Sequence, residues 1–135
     1  MIIFKIKEGI DGYHMTRDFR GEYLDTYSED SMDSVSYHIA AFENDKIICV
    51  GRMYIKDLKT CVIDNVAVNE ENRRQYVGDT ILRAFEDRAV QLMRSFIEVT
   101  PTPESKEFFS HEGYSGDSVM KKDLTKIRGC KCQKR

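Results

Sequence analysis

The 135-residue chain has no long apolar run. None of its segments approaches the roughly 20 apolar residues that a membrane-spanning helix requires. The opening MIIFKIKEG is too short an apolar run for a secretory leader, and Lys5 and Lys7 break it. Internal repeats, linkers and low-complexity blocks are also missing, so one domain is expected rather than an array. The four cysteines do not form the dense framework of a small secreted domain. Cys49 and Cys61 lie in apolar runs and read as small buried hydrophobes. The Cys130-x-Cys132 pair offers two soft ligands, too few for a structural zinc site. His14, His38 and His111 have no metal-ligand spacing with the cysteines, and no metal is expected. A soluble, cytoplasmic domain is the default.

An excess of charge of one sign is lacking too: the formal net charge is -2. That balance hides an asymmetry. From Lys121 onward there are seven Lys/Arg and one acid, while the preceding chain carries 14 basic and 22 acidic residues. Acid is densest in EYLDTYSEDSMD, residues 22–33, with five carboxylates and no base. Such a body disfavours nucleic acid.

What is present is a 41 % hydrophobic chain with clear periodicities, enough for a core. MIIFKIK alternates as a first strand and ends at Gly9 and Gly12. HMTRDFRGEYLDTYSED reads as one or two short helices, with Gly21 as a break. SVSYHIAAFEN and KIICVGRMYI are β-rich runs joined by a turn at Glu43, Asn44 and Asp45, a hairpin signal. TCVIDNVAV is a third run. From Gly78 the period becomes helical, with Ile81, Leu82, Phe85, Ala89, Leu92 and Met93 on one face. Arg83, Glu86, Asp87 and Arg88 fall largely on the other. RSFIEV is a strand. A helix follows, with Thr102 as N-cap, Pro103 at its first position, Phe108 and Phe109 as anchors and Gly113 as its stop. SVMKKDL reads as a last strand. Residues 125–135 have no periodicity and are expected to form a mobile basic tail. A strand–helix–strand unit after an antiparallel meander implies a mixed sheet with helices on its faces, and a ligand site near the strand–helix junction.

That junction is NVAVNEENRRQYVGDTILRAF, residues 65–85. A helix N-terminus presents unpaired amides and partial positive charge, which suits phosphate, and Arg73 and Arg74 stand just before it. The ordinary alternative is a solvated loop with two surface arginines. Glycine is scarce here: only Gly78 is present, with Tyr76 where another would be expected. The stretch NVAV-x4-RRQYVGDTIL resembles the core motif of the GNAT superfamily of acetyl-CoA-dependent N-acetyltransferases. Its pattern is an apolar strand followed by [QR]-x-x-G-x-[GA] opening a helix; Arg73, Gly78 and Ile81-Leu82 match, and Tyr76 replaces the first glycine. VIDNVAV resembles the family's fourth strand, RSFIEV the fifth, PESKEFFSHEGY the helix ending in a Gly-aromatic pair, and VMKKDL the closing strand. The likeness runs in order over residues 35–124.

The resemblance implies an α/β (α+β) fold: a GNAT-like mixed, mostly antiparallel central sheet flanked by helices on both faces. It implies a single domain over residues 1–124 followed by the tail. Acetyl-CoA is the implied acetyl donor. Val66, Ala67 and Val68 are implied to pair with the pantetheine arm. Arg73, Arg74, Gln75, Tyr76, Val77, Gly78, Asp79 and Thr80 are implied to hold the pyrophosphate, and Thr102 and Phe108 also belong to the implied cofactor site. Because amides need no particular side chain, Tyr76 is harmless if its φ is ordinary and strained if φ is positive.

The implied chemistry is direct attack of an amine on a thioester in a ternary complex. Asp64 stands where many members carry a glutamate, and is the candidate general base, acting through water; the plainer reading is a strand carboxylate facing a neighbour or solvent. An amide near Val66 is the candidate oxyanion donor. Phe109 occupies the position of the family's thiolate-protonating tyrosine and cannot donate; it reads as core. Water, Ser110, His111 and Tyr114 are the alternatives. The acceptor is expected to enter beside Glu22, Asp25, Glu29, Asp30 and Asp33, which favours a cationic small molecule or a peptide amine. A catalytically degenerate acetyl-CoA-binding module is the alternative function, and a homodimer is compatible with the family.

Overall fold

A computed structural model describes residues 1–24, 28–72 and 77–125. The element order is β1 (Ile2–Glu8), α1 (Gly9–Leu24), β2 (Tyr37–Glu43), β3 (Lys46–Ile55), β4 (Thr60–Val68), α2 (Val77–Gln91), β5 (Phe96–Val99), α3 (Lys106–His111), β6 (Ser115–Gly116) and β7 (Met120–Asp123). Short 3-10 turns cover Asp33–Val35 and Glu70–Asn72. The strands form one sheet in the order β1-β2-β3-β4-β5-β7-β6. The β1–β2, β2–β3, β5–β7 and β6–β7 pairings are antiparallel. This is the expected mixed α/β, mostly antiparallel architecture. Among the described residues no helix is long and apolar enough to cross a membrane. Two compact units divide the chain: Met1–Tyr54 with Ile63–Ala84, and Ile55–Val62 with Phe85 onward.

In the first unit, β1 does end at Gly9, whose φ of +64° and amide bond to the Ser36 carbonyl (2.8 Å) open α1. The helix then runs unbroken for 16 residues, so neither Gly12 nor Gly21 interrupts it. Gly12 answers to packing instead: a Cβ there would lie 2.3 Å from the Lys7 carbonyl oxygen and 2.6 Å from the His38 ring. α1 packs on β1 and β2. Phe19 meets Ala40, Val50 and Ala67 in a small apolar cluster, with Met15, Leu24, Phe42 and Ile47 against it. The expected hairpin joins β2 to β3 through Asn44 (φ +53°) and Asp45 (φ +65°). Two consecutive left-handed residues match the twist of a tight hairpin, and Asn and Asp tolerate that conformation best after glycine.

In the second unit, Phe85, Ala89, Ile97, Val99, Phe109, Tyr114, Met120 and Leu124 are buried. Two expectations for α2 need correction. Met93 is 77 % exposed with φ +63°: the helix ends at Gln91, and the Arg94 amide bonds the Ala89 carbonyl while the Met93 amide bonds that of Val90. That is a Schellman stop with methionine where glycine is usual, so side-chain periodicity carried the helix two residues too far. Glu86, placed by pattern on the solvated face, is buried. Its carboxylate accepts from the Tyr114 hydroxyl (2.9 Å) and from Lys122 Nζ (3.2 Å), and Lys122 also donates to the Glu112 carbonyl (2.9 Å). Helix α3 begins at Lys106, later than expected. The cap position is Ser105, not Thr102; the two close the turn before the helix, the Thr102 hydroxyl accepting from the Ser105 amide (3.1 Å) and Ser105 Oγ from the Thr102 amide (2.9 Å). Of the expected tail only Thr125 is among the described residues.

Candidate active site

Strand β4 carries the expected chemistry, and one residue disrupts its regularity. Asn65 has φ +50° inside the strand. Left-handed backbone costs most side chains on the order of 1 kcal/mol or more, and asparagine less than most. Such a residue turns the next peptide, that of Val66, away from the direction of a regular ladder. The irregularity therefore falls between Asp64 and Val66, the expected base and oxyanion positions. Ala67 is buried, and Val66 and Val68 are half-buried. The following Asn69 amide donates to the Ile48 carbonyl (3.0 Å).

The Asp64 carboxylate does not stand alone. Arg52 on β3 donates through Nε to Asp64 Oδ1 and through Nη2 to Oδ2, both at 2.8 Å. The same guanidinium donates through Nη1 to Asp30 Oδ1 (2.7 Å) and Asp33 Oδ1 (2.9 Å). Arg20 of α1 also donates to Asp33 Oδ1 (2.7 Å), and the Asp30 amide donates to Oδ2 (2.9 Å). The Asp33 side chain is fully buried, the Arg52 side chain is 4 % exposed, and those of Asp64 and Asp30 are 37 % and 51 % exposed. Burial opposes ionisation of Asp33, but the bonds from Arg20, the Asp30 amide and Arg52 outweigh it and hold its carboxyl below the usual range. Asp30 is lowered in the same way, burial being overcome by Arg52 and the Met32 amide. Burial works against the charge on Arg52, yet Asp64, Asp30 and Asp33 push its pKa up. His38, fully buried, donates from Nε2 to the Asp33 carbonyl oxygen (3.0 Å), and its Nδ1 has no hydrogen-bond partner. Burial depresses its pKa, against the raising effect of Asp33 and aided by Arg20 and Arg52.

This network was missed from sequence. The signal was a lone arginine inside the apolar run KIICVGRMYI, because a buried arginine must find carboxylates. It also corrects the acidic-mouth expectation: Asp33 is buried between two guanidiniums and cannot face an incoming amine. Glu22, Glu29 and Asp30 remain exposed, and Asp25 lies outside the described residues.

The phosphate-loop expectations divide. Arg73, Arg74, Gln75 and Tyr76 lie outside the described residues, so the φ of Tyr76 does too. Val77, Gly78, Asp79 and Thr80 form the first turn of α2, Val77 buried and Thr80 exposed. First-turn amides have no intrahelical acceptor, which is the chemistry a diphosphate needs. Asp79 Oδ1 lies 3.4 Å from Arg83 Nε one turn along. In the second unit, Thr102 is exposed and occupied with Ser105, and Phe108 is 38 % exposed, edge-on to Phe109. Phe109 is core, packed edge-to-face on Tyr114 at 5.6 Å between centroids. Tyr114 is a poor substitute acid: burial and the Glu86 charge push its pKa well above the ordinary phenol value. Ser110 and His111 are exposed. Burial raises the Cys49 thiol to about 12 and the Cys61 thiol to about 11, Arg94 partly offsetting the latter, so neither is a nucleophile. Among the described residues no group of three or more His, Cys, Asp or Glu could hold a metal.

The fold is shared with several solved structures. Escherichia coli ElaA superposes with a TM-score of 0.74 at 17 % identity, over 91 % of this chain and 100 % of that one. A GNAT family acetyltransferase from Elizabethkingia anophelis, solved with acetyl-CoA bound, gives 0.72 at 16 %, over 89 % and 97 %. An acyl-CoA N-acyltransferase from Pseudomonas aeruginosa gives 0.74 at 13 %, over 90 % and 99 %. No curated protein matches the sequence. The family model described as an acetyltransferase (GNAT) domain matches residues 7–124. With nearly its whole length matched and its strand order, irregular β4 and α2 start in place, the chain belongs to the GNAT acetyltransferases.

Proposed function

We propose that residues 1–124 act as one N-acetyltransferase domain that moves an acetyl group from acetyl-CoA to a primary amine by direct attack in a ternary complex. The observation that carries this reading is the left-handed Asn65, set between the Asp64 carboxylate and the Val66 amide. Acetyl-CoA supplies the activated acyl group. The backbone of Val66, Ala67 and Val68 pairs with the pantetheine arm. Arg73 to Tyr76 and the α2 turn from Val77 to Thr80 hold the pyrophosphate. Asp64 accepts the ammonium proton through a water at its exposed side, since each carboxylate oxygen keeps a lone pair beyond the one Arg52 uses. The Val66 amide faces the developing oxyanion. With Phe109 unable to donate and Tyr114 bound to Glu86, the thiolate, of pKa about 8.5, leaves to water. Glu22, Glu29 and Asp30 favour a cationic acceptor, a small amine or a peptide amine.

Phe109 favours a second reading, an acetyl-CoA-binding module without turnover. A thermal-shift measurement with acetyl-CoA, followed by thiol release over an amine panel, separates them. Stabilisation with turnover on cationic amines supports the enzyme. Stabilisation with no turnover on any amine supports the module, and no stabilisation removes both.

A further inference from the structure

We propose that Arg52 is a positioning residue for the transfer site, fixing the Asp64 carboxylate and tying it to the acceptor-side segment 28–36. The proposal rests on the reading of Asp64 as the general base.

Neutralisation does not explain the arrangement. Arg20 and Asp33 already form a buried pair at 2.7 Å, and Arg52 reaches both Asp33 and Asp30 through Nη1 alone. Charge balance requires no third carboxylate, yet Arg52 turns two further donors onto both oxygens of Asp64. Three carboxylates thus share two guanidiniums, and the surplus negative charge resides with the exposed members, Asp64 and Asp30. What the two-point contact adds is orientation. A planar fork holds a carboxylate's plane as well as its position, which a single ammonium cannot do. The fork itself is buried, and its far side grips Asp30 and Asp33 at the two ends of one turn. Any shift of that turn on acceptor binding therefore passes through one rigid group to Asp64. The next residue is the left-handed Asn65, so the contact also steadies the strand where it departs from regular geometry.

The test is Arg52→Lys, which retains the charge and loses the fork, assayed by thiol release with a saturating accepted amine. The expected result is a kcat lower by about tenfold to a hundredfold, the range a misplaced catalytic group produces, with KM for acetyl-CoA unchanged. Adding Asp64→Asn to Arg52→Lys should cost much less than Asp64→Asn alone, because the two residues act as a unit. If Arg52→Lys does not fold, Asp30→Ala replaces it: it removes one acceptor of Nη1 at a half-exposed site, and should lower kcat severalfold at constant acetyl-CoA KM. A kcat at the wild-type value in the folded variant, or full additivity with Asp64→Asn, overturns the proposal and leaves the enzyme reading intact. Wild-type protein that releases no thiol on any amine overturns the enzyme reading, and the proposal with it.

Discussion

Among the described residues each unit holds a buried charged cluster, and the two are built differently. In the first, guanidiniums grip carboxylates by paired bonds, and the chain of contacts ends on two carboxylates that reach solvent. In the second, Glu86, Tyr114 and Lys122 satisfy one another and the Glu112 carbonyl, with 10 % of the Glu86 and 16 % of the Lys122 side chain exposed. The second cluster closes on itself and ties α2, the end of α3 and β7 together. The first is left open at one end, beside the irregular strand. A closed cluster stabilises a fold; an open one has a group left to use.

The largest effect that would sharpen this contrast is Asp33→Asn. It removes the charge of the one fully buried carboxylate, which Arg20 and Arg52 share, and should cost about 3–5 kcal/mol in denaturant unfolding. A loss below about 1 kcal/mol would mean the first cluster is no more demanding than a surface pair. Next is Gly12→Ala, whose Cβ would collide with the Lys7 carbonyl and with His38, which bonds the Asp33 carbonyl. The expected loss is about 2–3 kcal/mol, against the small gain alanine brings to an ordinary helix position; a stabilised variant would refute the tight contact. Tyr114→Phe removes one hydroxyl from a carboxylate that retains Lys122, so about 1–2 kcal/mol is expected. Its kcat should stay at the wild-type value, and a large kcat loss at unchanged melting temperature would make Tyr114 the proton donor after all. The last effect is a slope. His38 has a depressed folded pKa, so the unfolded chain takes up a proton near pH 6.5 before the folded one does. Stability should be full above that value and decline as pH falls through it towards the folded pKa. His38→Gln should flatten the slope between pH 7 and 5 in melting experiments; an unchanged slope would assign it to other groups.

Much of the fold was legible because its signals are local. Alternation located β1, and Asn44-Asp45 located the hairpin turn. The ordered series from VIDNVAV to VMKKDL carried the family. The errors share one physical origin, since contacts distant in sequence override local propensity. Gly12 read as part of the break after β1 and Gly21 as a break between helices, but both lie inside α1, and Gly12 is required in part by His38, 26 positions away. The pattern put Glu86 in solvent, while Tyr114 and Lys122 make its burial affordable. The site was legible as a strand and a helix start. Arg52 was not, because its partners at 30, 33 and 64 are brought together only by tertiary structure.

The interleaving of the units sets an order in time. The first unit draws on residues up to Ala84, and the second on Ile55–Val62 as well as chain that follows from Phe85. During synthesis, residues 1–54 emerge without Asp64, so Arg52 must wait for its last partner. The segment Ile55–Val62 emerges before the rest of its own unit exists. Neither unit corresponds to a single cut piece of chain, and nascent protein that ends before β5 begins at Phe96 should expose an unpaired strand edge to chaperones.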